Sequence, residues 1–543
     1  MIPLTLHELA TAVGGRLVPA EGVEESLLVD GPAVTDSRQC GPGGLYVARV
    51  GEHADGHAYV PAAARAGAVL AVVSRELSAD ELAGARISQL VVDDTEVAFG
   101  LVARAVIEAA GHDLTVVAVT GSSGKTSTKD LLAHLLAQHG PTIAAQESFN
   151  SEIGVPLTVC RITRDTRYLV AEMGARGVGH LRYLTTIAPP DIAVVLNVGY
   201  AHASEFGSLD AVQAAKSELV AALDEGGLAV LNADDDRVAA MAPLAWAEGA
   251  DIAWVSAVGR AQDPPPPAVP VEPADDEDIP MSERVDVDDV EPRPGEHVWA
   301  EAVTLDDAGR ATFTLHCDCP TQGAHSAPVS LQLIGAHHVG NSLCAAAVGL
   351  RVGMALTEIA DALSSAVPAS RWRMEVVRRD DGVTIVNDAY NANPDSMSAA
   401  LRALAAMAPG FGGRRVAVLG AMLELGPESS ELHALVGKLA VALGIDRVVV
   451  VGEGARALAE AAGERATWVP STQDARRLLG TELHTGDIAL FKSSRDSGLR
   501  WLGEEVAAGQ AEAPLDVDLG AGPPAPGPAT GSSSAETGPE GVQ

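Results

Sequence analysis

The sequence predicts an α/β protein of three domains: a small N-terminal α/β domain, a central domain with a P-loop-type, mostly parallel ATPase sheet, and a C-terminal Rossmann-like domain. Three observations carry that expectation. The 543 residues are enough for about three domains, and 47% hydrophobic content is enough to build their cores. The stretch TVVAVTGSSGKTSTKDLLAHLLAQHG, from Thr115 to Gly140, reads as buried strand, glycine loop and amphipathic helix. Beyond Pro368, short β-branched runs alternate with amphipathic helical patterns, as in a parallel sheet.

From Met1 to about Gly111, Thr5 is placed to cap a helix through Val13 that Gly14-Gly15 ends. Leu45–Ala48 and Val69–Val73 read as strands. The polar, glycine-rich stretch that starts at Thr35, ahead of the first of these strands, carries Thr35, Ser37 and Arg38, donors suited to a phosphate or a sugar, and a hairpin loop with incidental polar residues fits equally well.

The central unit spans 112–367. Val116–Val119 forms the strand, and the helix after the loop sets Leu131, Leu132, Leu135 and Leu136 on one face before Gly140-Pro141 stops it. Gly121 and Gly124 allow backbone N–H groups to close on phosphate oxygens. Lys125 would reach the β- and γ-phosphates, and the Thr126 hydroxyl would ligate Mg²⁺. The common Walker pattern has a further glycine six residues before the lysine, where this chain has Val119. Tyr168–Ala171 is a strand ending at Glu172, and Ile192–Leu196 ends at Asn197; carboxyl ends of parallel strands gather ligands, which makes Glu172 a candidate Mg²⁺ ligand. Only five of the 37 basic residues are lysines: Lys125, Lys129, Lys216, Lys438 and Lys492. Where lysine persists in an arginine-rich chain, a compact amine is expected to matter. Lys129 and Lys438 read as residues of solvated helical faces. Lys216 lies in an apolar helix, where it either snorkels or reacts with CO₂ to give a carbamate ligand for a second Mg²⁺.

Residues 262–296 are Pro-rich and acidic, and 509–543 are Gly, Pro, Ala and Ser; both are expected to be disordered. A formal charge of −36 argues against nucleic acid or an anionic membrane as partner. Scattered cysteines and the absence of a signal peptide or long apolar run fit a cytoplasmic protein. In the last unit, 368–508, the strands Thr384–Val386, Arg415–Leu419, Arg447–Val451 and Asp487–Phe491 end in polar strings: NDAYNANPDSM after the first, GAMLELG after the second, KSSRDSGLRW after the fourth.

These strings, with TGSSGKTST, LELG and TDSR, resemble the motifs of the Mur ligase family over residues 1 to about 505. NDAYNANPDSM, from Asn387 to Met397, is the most specific of them. The resemblance implies an ATP-dependent amide ligase, acting as a monomer, that joins D-alanyl-D-alanine to a UDP-N-acetylmuramoyl-tripeptide through an acyl phosphate. A sibling that adds the third residue, or glutamate to folate, would share the loop and domain order. Residue by residue, it implies that Gly121, Ser122, Ser123, Gly124, Lys125, Thr126 and Ser127 hold ATP. His337, Asn341, Arg371 and Asp388 would also contact the nucleotide. Thr126, Glu172, His202 and carbamylated Lys216 would serve two Mg²⁺ ions. Thr35, Ser37 and Arg38 would face the UDP-sugar, Asn150 and Ser151 the peptide arm, and Asn391, Lys492 and Arg495 the peptide end or the dipeptide. His338 and Ala421 depart from the family pattern, which commonly has Asn and an acid there.

Overall fold

The computed structural model describes residues 1–51, 54–199, 206–261, 293, 295–319 and 323–509. Most of the expected acidic insertion, the tail from 510 and His202 lie outside these residues. The described chain forms three large sheets, each built by a consecutive part of the sequence.

The first is a five-stranded sheet in the order Arg16–Val18, Ser88–Val91, Ala68–Val73, Gly44–Val47, Ala33–Val34, parallel except for its first strand. The helix Leu6–Val13 starts where Thr5 predicts. Thr5 Oγ1 accepts from Glu8 N at 3.1 Å, the Glu8 carboxylate accepts from Thr5 N at 2.7 Å, and Gly14 ends the helix at φ 61°.

The second sheet has nine strands, with Thr115–Thr120 between Tyr168–Glu172 and Ile192–Val195, all parallel. Burial on both faces explains the unbroken apolar run. Val116 and Ala118 pack with Leu169 and Ala171 in one core, while Val117 and Val119 pack with Leu131, Leu132, Leu135 and Leu136 in the other. The chain leaves Thr115–Thr120 toward one side of the sheet and returns to the other, so its carboxyl end opens a crevice. Glu172 is in register with Val119 and therefore sits at that crevice.

Four features differ from the sequence reading. The helix after the loop is Lys125–Ala137, ending before Gly140-Pro141 because the amides of Gln138, His139 and Gly140 turn onto the carbonyls of Leu135 and Leu136. Lys129 is not solvated: it is buried and ion-paired with Asp130. Glu296, assigned to the acidic insertion, begins a strand, Glu296–Leu305, that leads into an antiparallel extension through Arg310–Cys319 and Gly323–Ile334. Its alternating polar residues face solvent, so it lacks the unbroken apolar run of a fully buried strand. The third sheet carries an edge strand, Glu375–Arg378, and a far strand, Ala466–Val469, that the sequence reading did not include.

That third sheet runs Glu375–Arg378, Thr384–Asn387, Ile488–Lys492, Arg415–Leu419, Arg447–Val451, Ala466–Val469, parallel apart from the first edge. Ile488–Lys492 is central, so Lys492 is buried although it ends a strand. Among the described residues no helix is long and apolar enough to cross a membrane.

Candidate active site between the central and C-terminal sheets

The loop after Thr120 is shaped by glycine. Gly124 opens the helix Lys125–Ala137 at φ 83°, and a Cβ there would meet Asn341 Oδ1 at 3.0 Å. The loop is braced from the neighbouring strand end: Ser123 N donates to Asn197 Oδ1 at 2.9 Å, and Ser122 Oγ donates to Gly199 O at 3.0 Å. Inside this brace Lys125 Nζ donates to Gly121 O at 2.6 Å. Withdrawal from water pushes the Lys125 ammonium below the ordinary lysine range; Glu172 opposes that shift and Arg373 reinforces it.

Glu172 is buried and half satisfied. Its Oε1 accepts from Asn150 Nδ2 at 2.8 Å, whereas its Oε2 has no hydrogen-bond partner. Asn150 is itself held at the crevice by Gly174 N, which donates to its carbonyl at 2.8 Å. Ser151 Oγ accepts from Gly154 N at 3.4 Å and so serves the start of the short helix Gly154–Val159. Lys216 is also buried; burial, and then the nearby Lys125 charge, push its amine well below the ordinary lysine range. Its neighbour Glu218 is committed elsewhere, accepting from the backbone N–H groups of Gly179 and Arg182 at a helix start.

The C-terminal sheet closes the crevice from the other side. Arg373 Nη2 donates to Thr126 Oγ1 and to Ser148 Oγ, each at 3.1 Å, and its guanidinium lies 4.4 Å from the Tyr390 ring. Asn393 Nδ2 donates to Ser122 O at 3.1 Å. A cleft of about 290 Å³ remains between the two sheets. Ser123, Gly124 and Ser127 line one side of it, His337, His338 and Asn341 a second, and Arg373, Asp388 and Lys492 the third. The helix His337–Arg351 presents unmatched polarity to this cleft: His338 Nδ1 and Asn341 Nδ2 are buried without partners, and the His337 and His338 rings lie 4.2 Å apart. Unsatisfied buried donors and acceptors cost stability unless something completes them.

The structure redistributes several residues singled out by sequence. Arg371, assigned to the nucleotide, points away: its guanidinium pairs with Glu504 and lies 4.8 Å from the Trp372 ring, and it is absent from the cleft lining. Arg373 occupies the inward position instead. The cause is the backbone, because Trp372 at φ 57° and Met374 at φ 51° are left-handed and turn the two arginines to different sides. Lys492 and Asp388, given separate roles, form one unit. Lys492 Nζ donates to Asp388 Oδ2 at 2.6 Å and to the carbonyls of Asp388 and Asn391 at 3.3 and 3.1 Å, which uses all three donors. Asp388 Oδ1 accepts from Met374 N at 3.1 Å, so the pair fixes the segment that aims Arg373. Lys492 therefore has no donor free for the peptide end or the dipeptide in this conformation.

Asn391 is exposed, its Oδ1 taken by Ala392 N at 2.9 Å, and Arg495 is exposed over Tyr390 at 5.7 Å. Thr35, Ser37 and Arg38 lie in the turn that follows the strand Ala33–Val34 of the N-terminal domain and do not line the cleft. Arg38 is ion-paired with Asp36 at 2.7 Å and 82% exposed. Sequence reasoning missed Arg373, Asn197 and Asn393. Asn393 carried a usable signal, since Asn before Pro394 is a helix cap pattern, and it does cap Pro394–Ala406.

Three family models match in succession: the Mur ligase family, catalytic domain at residues 34–106, the Mur ligase middle domain at 119–263, and the Mur ligase, glutamate ligase domain at 372–495. The chain is 40% identical over 538 residues to the UDP-N-acetylmuramoyl-tripeptide--D-alanyl-D-alanine ligase of Mycobacterium leprae (strain TN), covering 92% of this chain and 97% of that one. It is 34% identical to the ligase of the same name from Escherichia coli (strain K12), with 85% and 89% covered. Among solved structures it is similar to MurF from Acinetobacter baumannii, with a TM-score of 0.76, 28% identity and coverage of 93% of this chain and 99% of that one. The MurF ligase from Thermotoga maritima in complex with ADP aligns with a TM-score of 0.69, 25% identity, and coverage of 88% and 98%.

Proposed function

Because the chain belongs to the Mur ligase family, we propose that it catalyses the ATP-dependent joining of D-alanyl-D-alanine to the C-terminal carboxylate of a UDP-N-acetylmuramoyl-tripeptide, with ADP and phosphate released. The product is the UDP-linked pentapeptide used in peptidoglycan synthesis, and the proposed compartment is the cytoplasm. The observation that carries the reading is the meeting of Lys125 and Thr126 with Arg373 across the cleft, two cations and a hydroxyl from two domains converging on the loop.

The reaction begins with two anions that repel. A carboxylate oxygen attacks the γ-phosphorus and ADP leaves; the dipeptide amine then attacks the acyl phosphate carbonyl, and phosphate departs with the C–O bond. Lys125 neutralises the phosphate as charge shifts toward ADP, and the loop's N–H groups orient the chain of phosphates. Arg373 approaches from the C-terminal sheet, so it contributes when the two domains are together. His337, Asn341 and the unpartnered His338 form the wall that faces the nucleotide. Thr35, Ser37 and Arg38 hold the UDP-sugar on the N-terminal domain, and Asn150 and Ser151 face the peptide arm.

The residues fit a hard divalent cation. Glu172 Oε2 is a buried oxygen without a partner, and Thr126 Oγ1 adds a hydroxyl. One buried carboxylate and one hydroxyl suit Mg²⁺ held partly by substrate phosphates. Bound there, Mg²⁺ supplies charge neutralisation at the phosphate oxygens. Arg373 now occupies the Thr126 hydroxyl and must yield part of that contact when the ion binds. A second ion would rest on Lys216 as its carbamate and on His202; a buried, uncharged amine is the form that reacts with CO₂.

Incubation of the protein with ATP, Mg²⁺, UDP-muramoyl-tripeptide and D-Ala-D-Ala should give the pentapeptide mass with one phosphate released per amide formed. ATP hydrolysis with no amide product would overturn the reading. The two arginines give a sharper contrast. Arg373→Ala is expected to lower kcat/KM for ATP by about 10² or more, whereas Arg371→Ala should stay within about threefold, since a surface ion pair contributes little. Steady-state kinetics on both variants decide it, and equal losses would remove Arg373 from the account.

A further inference from the structure

Beside the cleft, the C-terminal domain carries a second group of cations. Arg373 and Arg495 lie 4.4 and 5.7 Å from the same Tyr390 ring. Tyr390 stacks toward Trp372 at 6.4 Å, and Arg500 lies 5.3 Å from Trp372 and 5.1 Å from Trp501. Arg500 is half-buried, and its Nε and Nη1 are enclosed without a hydrogen-bond partner. Neither Arg495 nor Arg500 has an ion pair among the described residues, although the chain carries 73 acidic side chains. Loss of water, and then the charge on Arg495, push Arg500 below the ordinary guanidinium range; Asp496, Tyr390 and Glu147 oppose this. Two guanidinium groups held together on aromatic faces, with donors left over, are incomplete without an anion, and planar forks of this kind match a carboxylate.

Which anion follows from position. The same ring that carries Arg495 carries Arg373, and Arg373 reaches Thr126 and Ser148 at the start of the phosphate-loop helix. An anion on Arg495 and Arg500 therefore lies on the side of the C-terminal domain from which Arg373 reaches the phosphate-loop helix, where an incoming substrate with a free carboxylate would enter.

Resting on the ligase reading above, we propose that Arg500, together with Arg495, binds the free carboxylate of the incoming dipeptide. This grip points the amine toward the acyl phosphate and selects acceptors with an unblocked C-terminus. Arg500 is thus a specificity-determining residue to which the sequence reading gave no role, although it lies in the string KSSRDSGLRW.

The test compares D-Ala-D-Ala with its C-terminal amide in the wild type, Arg500→Gln and Arg495→Gln. In the wild type the free acid should be preferred by about 10- to 100-fold in kcat/KM. Each substitution should raise KM for D-Ala-D-Ala by about 10-fold or more and shrink the acid-to-amide preference, with KM for ATP and for the UDP-tripeptide unchanged. Quenching of Trp372 and Trp501 fluorescence by the dipeptide should weaken in parallel. An unaltered acid-to-amide ratio in both variants overturns the proposal, as does a KM change confined to ATP or to the UDP-tripeptide. Absence of any amide product from the wild type would instead defeat the ligase reading itself.

Discussion

Lys125→Ala is expected to lower kcat by about 10² to 10³, the usual cost of removing one preorganised contact to developing charge. The structure gives the reason for so large a loss. Lys125 is drawn out of water beside Glu172, so its charge acts in a medium where screening is weak, and Gly121 O already holds it in the loop. Folding should be spared, because the ammonium is destabilised by its own desolvation and makes one hydrogen bond to the chain. Rapid-quench kinetics together with a thermal melt check both halves: a melting temperature within a few degrees of wild type and turnover reduced as stated. Turnover within about tenfold of wild type would mean that the phosphate is neutralised elsewhere.

Removing Lys216 should be comparably severe for activity and equally mild for folding. As an amine, Lys216 is a buried group pushed far toward its neutral form, with Lys125 nearby to disfavour a second positive charge. Snorkelling, the alternative that sequence allowed, needs an exposed ammonium, and the side chain is 4% exposed. As a carbamate it carries a negative charge that Lys125 favours. Lys216→Ala should therefore lose about 100-fold or more in turnover, and millimolar short carboxylic acids should restore part of it by placing a carboxylate in the vacated space. Normal activity in Lys216→Ala would remove the carbamate from the mechanism. Loss without any rescue, together with a lowered melting temperature, would assign Lys216 to packing alone.

The two lysines and Arg373 differ in how far the sequence revealed them. Lys125 follows from local order alone, since strand, glycine turn and helix are each encoded within a few residues. Glu172 follows from a slightly longer argument, that a strand's last residue meets a ligand if the sheet is parallel, and its register with Val119 shows that the strands there are parallel and end together. For Lys216 the sequence left two readings; burial argues against snorkelling, and the rescue experiment above tests the carbamate.

The sequence by itself determined the three α/β sheets, the phosphate loop, the helix Leu6–Val13 with its caps, and the buried strands Thr115–Thr120, Tyr168–Glu172 and Ile192–Val195. These rest on interactions between near neighbours or on hydrophobic runs, which the order of residues states directly. Tertiary structure alone decided that Arg373 rather than Arg371 enters the cleft, that Lys492 is spent on Asp388, and that Arg500 lies against a touching pair of tryptophans with two enclosed nitrogens unpartnered. Each of these depends on partners about 14 to 250 positions away or on left-handed backbone at Trp372 and Met374, and no local pattern fixes which side of the chain a side chain will face once the backbone leaves its regular period.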